Sequence, residues 1–264
     1  MVHKILRQYP SDPRWYAEPM ISEEEIKSIL NQKFHYFRRG MQCYAFLSED
    51  GQYIIKFFNQ AHHKDNDLKR RERDLLSNFI AYRELKEDTG LLMIHFCSEK
   101  PLNQSITLVD GCHIAHTIDL DNVEFLLQRR MKLPLDVIDE AMAQGNEQEA
   151  KDFIHELFGF LHKRLDKGLL DYDSKLYTNY GFIGKKAYQL DAGQVAKVSC
   201  VEDYQRDLEH FHVRNRRFQR WLNEKYPSLL PCYLSEVDAL DSHFQKLIQQ
   251  GGLHEKLDRC DSRS

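Results

Sequence analysis

The sequence predicts an α+β protein with a strand-rich half over residues 30–127 and a helix-rich half over residues 133–250. In the first half, runs of β-branched and aromatic residues recur, separated by Asp-Gly turn signals. In the second half, long stretches have the apolar periodicity of helices and are interrupted by one short hairpin at Gly184. Hydrophobic residues make up 42% of the 264 positions, which is enough to build a core.

The elements of the first half follow from local patterns. Residues 1–21 are rich in Pro, Tyr and Trp and predict an irregular arm, and Ser22 to Glu25 fit a capping box that begins a helix. Strands are predicted at 34–37, 43–47, 52–58, 91–96, 105–109 and 113–118, and residues 123–127 form a further apolar run. We expect residues 22–132 to form an antiparallel sheet. One long charged helix is predicted over 64–86. Its expected buried side consists of Leu68, Leu75, Leu76, Phe79, Ile80 and Leu85.

The second half, residues 133–250, is predicted to be mainly helical. Leu133-Pro134 introduces one helix, and residues 148–166 form the clearest amphipathic stretch, ended by Gly168. Two further helices are predicted over 201–225 and 234–250, and residues 251–264 are expected to be a polar tail.

Composition excludes several classes of function. No apolar run reaches the 18 or so residues of a membrane span, and the N-terminus lacks the apolar stretch of a secretory signal. The six cysteines are scattered without a C-x-x-C pair, which indicates reduced thiols. A net charge of −4 provides no general attraction to nucleic acid. We therefore expect a soluble cytoplasmic protein with no membrane and no nucleic-acid partner.

The most informative motif begins at Leu170-Asp-Tyr-Asp-Ser-Lys175. It continues with Asn179 and ends, after the predicted hairpin, in Asp191-Ala-Gly193. Asn and Asp offer the hard oxygen atoms that Mg²⁺ prefers. A further carboxylate nearby can orient or deprotonate an attacking hydroxyl. The pattern is typical of phosphoryl transfer.

This order of residues resembles the protein-kinase-like superfamily, in a compact atypical form, over roughly residues 34–225. The resemblance implies a two-lobed fold with a β-rich N-lobe and a mostly helical C-lobe. It implies that Lys56 grips the phosphates of ATP, that Glu72 or Glu84 is its partner, and that Gly40 is what remains of the glycine-rich loop. Glu72 fits the usual spacing better, whereas Glu84 has the more apolar context. Residues 125–131 would be the hinge that contacts adenine.

In the second half, the resemblance implies that Asp171 or Asp173 is the catalytic aspartate and that Lys175 is the lysine of the catalytic loop. Asn179 and Asp191 would be the magnesium ligands, so the implied cofactors are ATP and Mg²⁺. The chain departs from the family in four respects. Asp171 stands where the family has His, the interval from Asp173 to Asn179 is one residue longer than usual, the glycine-rich loop is nearly absent, and few residues follow Asp191.

The predicted function is therefore an ATP- and Mg²⁺-dependent phosphotransferase of atypical kinase type, which transfers the γ-phosphate to a hydroxyl of a protein or a small molecule. The alternative is a pseudokinase, in which the same fold binds a nucleotide or a protein without catalysis. A third interpretation is an unrelated α+β interaction protein.

Overall fold

The computed structural model describes residues 2–60 and 68–261, with side chains up to residue 250. The chain divides into two compact units, Met1–Arg130 and Met131–Ser264. The fold is α+β: most strands lie in one mixed sheet of the first unit, and most helices lie in the second.

Among its described residues, the first unit contains a seven-stranded sheet, two α-helices and short 3-10 turns. The helices are α1 (Glu23–Leu30), which has the predicted capping box at Ser22, and α2 (Leu68–Glu84). The predicted start of α2 at Lys64 lies outside the described residues. The strands are β1 (Lys33–Arg39), β2 (Cys43–Ser48), β3 (Tyr53–Phe58), β4 (Leu91–His95), β5 (Ser105–Val109), β6 (Ala115–Asp119) and β7 (Phe125–Arg129).

The sheet has the order β4-β7-β3-β2-β1-β5-β6. Its pairs are antiparallel except β1 with β5, which are parallel, for example Phe34 opposite Leu108. The expectation of a fully antiparallel sheet was therefore wrong. The β5–β6 hairpin follows a long connection from β4, and β5 pairs with the edge of β1 that faces away from β2. The two paired strands are far apart in the chain, so their pairing leaves no signal in the local sequence.

Residues 125–129 are an inner strand rather than a hinge. β7 pairs with β3 on one side and with β4 on the other, and Phe125, Leu126 and Leu127 are buried. Because an inner strand uses its backbone hydrogen-bonding groups in both ladders, these residues have no free edge for an adenine ring. The expectation of a hinge was therefore wrong for residues 125–129, and Arg130 and Met131 of the expected hinge lie beyond the strand.

The two faces of this sheet have separate cores. One core contains α1 together with Ile55 and Phe57 of β3, and the other contains Leu75 and Tyr82 of α2. The predicted buried side of α2 was partly wrong, because Leu68 and Leu76 are 49% and 46% exposed. Polar residues occupy the inner side of the helix instead. They are Arg71, Asp74, Ser77 and Asn78, all buried.

Among its described residues, the second unit contains four α-helices, two short antiparallel strand pairs and one isolated antiparallel bridge, between Lys132 and Phe182. The helices are α3 (Pro134–Ala143), α4 (Glu147–Asp166), α5 (Val201–Lys225) and α6 (Leu230–Asp261). The strands are β8 (Leu169–Asp171), β9 (Tyr180–Ile183), β10 (Lys186–Gln189) and β11 (Val195–Lys197). β9 pairs with β10 and β8 pairs with β11.

The core of the second unit lies among α4, α5 and α6. Phe158 of α4 makes edge-to-face contacts with Phe211 of α5 and Tyr233 of α6. Helix α6 runs to Asp261, so the polar tail expected from residue 251 is helical at least that far. The segment was expected to be a tail because it is polar, but it contains Leu253 and Leu257 and its composition is compatible with a helix.

Glycine is required at one position of β9. Lys132 exchanges backbone hydrogen bonds of 3.0 and 2.8 Å with Phe182, which brings the preceding residue, Met131, against Gly181. A Cβ atom at Gly181 would lie 2.6 Å from Cβ of Met131. Only glycine therefore permits this close approach. Among the described residues, no helix is both long enough and apolar enough to cross a bilayer.

Candidate functional site

The centre of the candidate site is Asp173, in the loop that follows β8. Its Oδ2 accepts a hydrogen bond from Nζ of Lys175 at 2.7 Å and one from Nδ2 of Asn179 at 3.1 Å. Its Oδ1 lies 3.3 Å from Nε of Arg214 on α5. The Asp173 side chain retains 27% of its exposure. The structure thus brings three predicted site residues together around a carboxylate that solvent can reach.

The extra residue between Asp173 and Asn179 is absorbed by a turn. The amide nitrogens of Thr178 and Asn179 both donate to the carbonyl of Lys175, at 3.2 and 2.9 Å. This turn returns the Asn179 side chain toward the loop, where Nδ2 donates to the backbone carbonyl of Asp173 at 2.6 Å. The longer interval therefore does not separate Asn179 from Asp173.

Asp191 lies beside Asn179 because the β9–β10 hairpin closes there. The amides of Leu190 and Asp191 donate to the carbonyl of Asn179 at 2.8 and 3.1 Å. The Asp191 carboxylate is exposed, and its Oδ1 accepts from the amide of Gly193 at 3.1 Å, which fixes the tight Asp-Ala-Gly turn. The hairpin thus places the backbones of these two residues in contact, twelve positions apart in the sequence.

Asp171 is buried, unlike Asp173. Only 1% of its side chain is exposed, and Oδ2 accepts from Nε2 of Gln189 at 2.8 Å and from the hydroxyl of Tyr180 at 3.3 Å. Its Oδ1 accepts from the amide of Asp173 at 3.0 Å. The carboxylate therefore supports the loop from beneath, and its oxygens are not available to a bound substrate.

A buried ion cluster underlies Asp171. Arg164 of α4 is 2% exposed and lies 3.6 Å from Asp171 and 3.3 Å from Asp207 of α5. Arg164 also donates to the hydroxyl of Tyr180 at 2.7 Å. Burial raises the pKa of Asp171, and it raises the pKa of Asp207 to about 7, although the guanidinium of Arg164 opposes both effects.

Sequence reasoning did not single out Arg164, Asp207 or Arg214. A signal was present for the first two: Arg164 lies three residues after Leu161 on the apolar side of α4, and Asp207 lies four residues before Phe211 on the buried side of α5. A charged residue in the register of an apolar stripe is rarely buried without a partner. Arg214 lies in a basic stretch, residues 214–220, whose composition alone indicates a solvated face of a helix.

In the first unit, Lys56 is partly buried on β3. Its neighbours Ile55 and Phe57 point into the α1-side core, and successive side chains of a strand alternate between faces. Lys56 therefore points to the face covered by α2, as do Phe58 and the opposite residue on β7, Leu126.

Neither predicted glutamate is the buried acid of α2. Glu72 is 51% exposed and forms an ion pair of 3.2 Å with Arg14, and Glu84 is exposed. Asp74 is fully buried on the inner side of the helix and accepts from Nε2 of Gln42 at 3.0 Å. Glu124, which directly precedes β7, is also fully buried, and it pairs with Arg71 of α2. Because Asp74 is the buried acid of α2, it is a better candidate than Glu72 or Glu84 for the partner of Lys56.

Gly40 occupies the short turn between β1 and β2. Its amide donates to the carbonyl of Cys43 at 2.9 Å, and a Cβ atom at this position would meet that carbonyl oxygen only at an ordinary 3.7 Å. The backbone therefore does not demand glycine here. The neighbouring arginines lie over aromatic rings, Arg38 over Phe37 and Arg39 over Tyr44.

The side-chain oxygen atoms of Asn179 and Asp191 are of the chemical type that binds magnesium. Within the part of the chain that the structure describes, no three His, Cys, Asp or Glu side chains form a metal site. A divalent ion would therefore need the amide oxygen of Asn179 in addition to carboxylate oxygen from Asp191. That oxygen accepts one hydrogen bond, from the hydroxyl of Thr178 at 2.9 Å, and an amide oxygen has two lone pairs.

Comparisons with known proteins add little to this geometry. No protein-family model matches the chain, and no curated protein matches it. Similar solved structures include WbdD with the kinase inhibitor LY294002, which is 13% identical over 77% of this chain and 45% of that one, with a TM-score of 0.36. Monomeric WbdD is 16% identical over 73% and 44%, with a TM-score of 0.34. A third structure, of the bifunctional kinase-methyltransferase WbdD, is 14% identical over 79% and 47%, with a TM-score of 0.32.

The chain spans less than half the length of these WbdD structures. A likeness at such identities and TM-scores assigns neither a family nor an activity.

Proposed function

We propose that the chain is a kinase-like phosphotransferase that uses ATP and Mg²⁺ and transfers the γ-phosphate to a hydroxyl of a protein or a small molecule. The observation that carries the proposal is the hydrogen-bonded set of Asp173, Lys175 and Asn179, whose last member is joined through its backbone to Asp191. Phosphoryl transfer needs positioned charges more than covalent chemistry, and this set supplies them.

Within this proposal, the two aspartates have different roles. Asp173 orients the acceptor hydroxyl and takes its proton, because its carboxylate is partly exposed and belongs to the loop that carries the other polar groups. Asp171 positions that loop, since its buried carboxylate accepts from the amide of Asp173. The Nζ atom of Lys175 lies 2.7 Å from Asp173. Its positive charge stabilises the negative charge that accumulates on the transferred phosphoryl group.

Asn179 and Asp191 are the residues proposed to hold the magnesium ion. Both offer hard oxygen atoms, and the exposed carboxylate of Asp191 leaves room for the water molecules that Mg²⁺ retains. When bound, such an ion supplies neutralisation of phosphate charge.

For the first unit, we propose that Lys56 binds phosphate oxygens and that Asp74 is the acid that orients its ammonium group. Lys56 lies on the face of the sheet that α2 covers, and Asp74 is a fully buried acid of α2, whereas Glu72 is engaged with Arg14. A lysine in partly apolar surroundings needs a nearby acid to remain charged. The exchange of glutamate for the shorter aspartate departs from the resemblance.

A second candidate function is a nucleotide-binding module without catalysis. One observation favours it: the Asp173 carboxylate faces three cationic or amide nitrogen groups, from Lys175, Asn179 and Arg214. These contacts occupy much of the hydrogen-bonding capacity of the carboxylate, which leaves less of it for a substrate hydroxyl. Gly40, the only glycine of the β1–β2 turn, offers little of a phosphate-covering loop.

The two candidates differ in what magnesium does. The phosphotransferase should bind ATP more tightly with Mg²⁺, as measured by isothermal titration calorimetry, and should release labelled phosphate or transfer it to itself or to an added acceptor. Asp191→Ala should abolish the magnesium dependence, and Asp238→Ala, at an exposed position on α6, should not. Binding that is indifferent to Mg²⁺, with no transfer, supports the binding module. Absence of any ATP binding contradicts both.

A further inference from the structure

A thiol, an imidazole and a carboxylate form a chain of contacts on the second unit, where α4 packs against α6. Sγ of Cys232 on α6 lies 3.6 Å from Nε2 of His155 on α4. Nδ1 of the same ring lies 2.8 Å from Oε1 of Glu236, also on α6. A nucleophile, a base within reach and a third group that orients the base are the parts of an activated thiol.

The packing of the two helices holds these groups in place. Cys232 and Glu236 are four positions apart on α6, so they lie on the same side of that helix. Immediately beside Cys232, Tyr233 is 2% exposed. Its ring makes an edge-to-face contact with Phe158 of α4, with 5.7 Å between the ring centroids. The core therefore fixes the backbones that carry the thiol and the imidazole.

Glu236 determines which nitrogen of His155 carries the proton. An ionised carboxylate can only accept hydrogen bonds, so a neutral imidazole must present its N–H to Glu236 at Nδ1. Nε2 then has a free lone pair, and the thiol of Cys232 is the donor of the contact between Sγ and Nε2. His155 thus has the tautomer of a base toward the sulfur.

The thiol requires such a base. Burial raises the pKa of Cys232, and the charge of Glu236 acts in the same direction, so the sulfur carries its proton at neutral pH. The thiolate is the reactive form of cysteine. Cys232 is partly exposed and the His155 side chain is 52% exposed, so the site borders solvent.

The charges around the sulfur favour an uncharged reagent. Asp152 of α4 and Glu236 act on Cys232 as negative charges, and Lys151 acts as a positive charge. Lys151 is already paired with Glu147 at 2.6 Å. The surplus is negative, which disfavours the approach of an anion.

We propose that Cys232 is a nucleophilic thiol that hydrogen peroxide, a small uncharged oxidant, modifies, with His155 as its base and Glu236 as the positioning residue. The thiol proton passes to Nε2 of His155, and the sulfur attacks one oxygen of the peroxide. The S–O bond forms as the O–O bond breaks, and the departing hydroxide takes the proton from His155. The sulfur is oxidised to a sulfenic acid and the peroxide is reduced to water. The proposal does not depend on phosphoryl transfer.

The test measures sulfenic acid at individual cysteines of the full chain. Protein treated with hydrogen peroxide at about pH 7 is trapped with dimedone, and mass spectrometry compares Cys232 with Cys112, an exposed cysteine between β5 and β6. Cys232 should react at least about ten-fold faster, and His155→Gln should remove this advantage, because a positioned base contributes about 100-fold or more. Glu236→Gln should slow Cys232 by a smaller factor, since the base remains but its tautomer is no longer fixed.

The matched control is His212→Gln, because His212 on α5 is also exposed and paired with a carboxylate, that of Asp241 at 2.9 Å. This substitution should change the rate at neither cysteine. The pH profile separates a base from a structural role. The rates of the wild type and of His155→Gln should converge toward about pH 10, where a thiol loses its proton without help.

Each outcome bears on the proposal. Reaction of Cys232 no faster than that of Cys112 overturns it, and so does a wild-type rate at Cys232 in His155→Gln. A deficit that Cys112 shares, or one that is the same at every pH, also overturns the assigned base. A wild-type rate in Glu236→Gln overturns the positioning role. Thermal unfolding verifies that the variants are folded, and the comparison of the two cysteines in the wild type decides if His155→Gln does not fold.

Discussion

The amide nitrogen of Asp171 donates to Oδ1 of Asp207 at 3.3 Å, so the strand that leads into the candidate catalytic loop is anchored to α5. Asp207 also lies 3.3 Å from Arg164 of α4. One guanidinium thus connects two helices and the loop beneath Asp173. The anchor depends on a single positive charge balancing two buried carboxylates.

We expect Arg164→Met to destabilise the protein by about 3–5 kcal/mol at pH 7, because it removes the counter-charge of Asp171 and of the ionised fraction of Asp207. Urea unfolding followed by circular dichroism measures the change. The deficit should shrink as the pH falls toward 5, where the carboxylates of Asp171 and Asp207 can take up protons. The matched control is Arg216→Met, exposed on α5, which should change the free energy of unfolding by less than about 0.5 kcal/mol. Equal effects of the two substitutions would contradict the buried cluster.

Asp173→Asn should separate chemistry from folding. If the chain transfers phosphate, the rate should fall at least about 100-fold, the usual contribution of a positioned base. The free energy of unfolding should change by less than about 1 kcal/mol, since the side chain is partly exposed and its ion pairs are screened. Asp238→Asn serves as the control for both measurements. An active chain that is indifferent to Asp173→Asn would refute the assigned base.

The partner of Lys56 can be identified by comparing acids. Lys56→Met should weaken ATP binding about ten-fold or more, because phosphate oxygens lose a fixed positive charge. Asp74→Asn should weaken it similarly, whereas Glu72→Gln, which removes only an exposed ion pair with Arg14, should not. Calorimetric titration with MgATP measures all three. A larger loss in Glu72→Gln than in Asp74→Asn would restore the partner expected from spacing.

His95 should make the first unit sensitive to acid. Its pKa is about 4 in the fold and about 6.5 in an unfolded chain. The unfolded state therefore binds more protons between these values, and stability is lost as the pH falls from about 6.5 toward 4, by on the order of 3 kcal/mol. Unfolding measured across this range should show a shallower pH slope in His95→Phe than in the wild type. The exposed control His35→Phe should keep the wild-type slope.

Two glycine substitutions should change stability in opposite directions. Gly181→Ala should destabilise by about 1–3 kcal/mol, because the new Cβ would overlap Met131. Gly159→Ala, within α4, meets nothing within 4 Å and should stabilise by about 0.5–1 kcal/mol through helix propensity. Thermal unfolding of both variants tests the close approach at β9. A neutral Gly181→Ala would show that residues 131–132 do not pack there.

The sequence predicted local structure well where local physics determines it. The capping box at Ser22, the span of α5 and the hairpin turn at Gly184 all agree with the structure. Helix α2 was misjudged because the prediction counted apolar residues, whereas the helix buries Asp74 and exposes Leu76. Which side chain is buried depends on the sheet it packs against, and that information is not contained in the helix itself.

For the candidate site, the sequence identified residue types and order but not the difference between neighbours. The sequence alone does not distinguish Asp171 from Asp173. Their burial does: Asp171 is buried and holds the loop in place, whereas the carboxylate of Asp173 is partly exposed. That burial arises from Arg164 and Asp207, which lie on two helices distant in sequence. Non-local ion pairs of this kind are fixed by the tertiary fold.

The parallel pairing of β1 with β5 also bears on synthesis of the chain at the ribosome. Lys33 to His35 of β1 find their outer partners only at Thr107 to Val109, more than seventy residues later. Until those residues emerge, a nascent β1–β2 hairpin presents an open edge next to the half-exposed Tyr36 and Phe37, which is a template for association with other chains. The β5–β6 hairpin therefore covers the open edge of β1 only late in synthesis. Truncation before Val109 should produce fragments that aggregate.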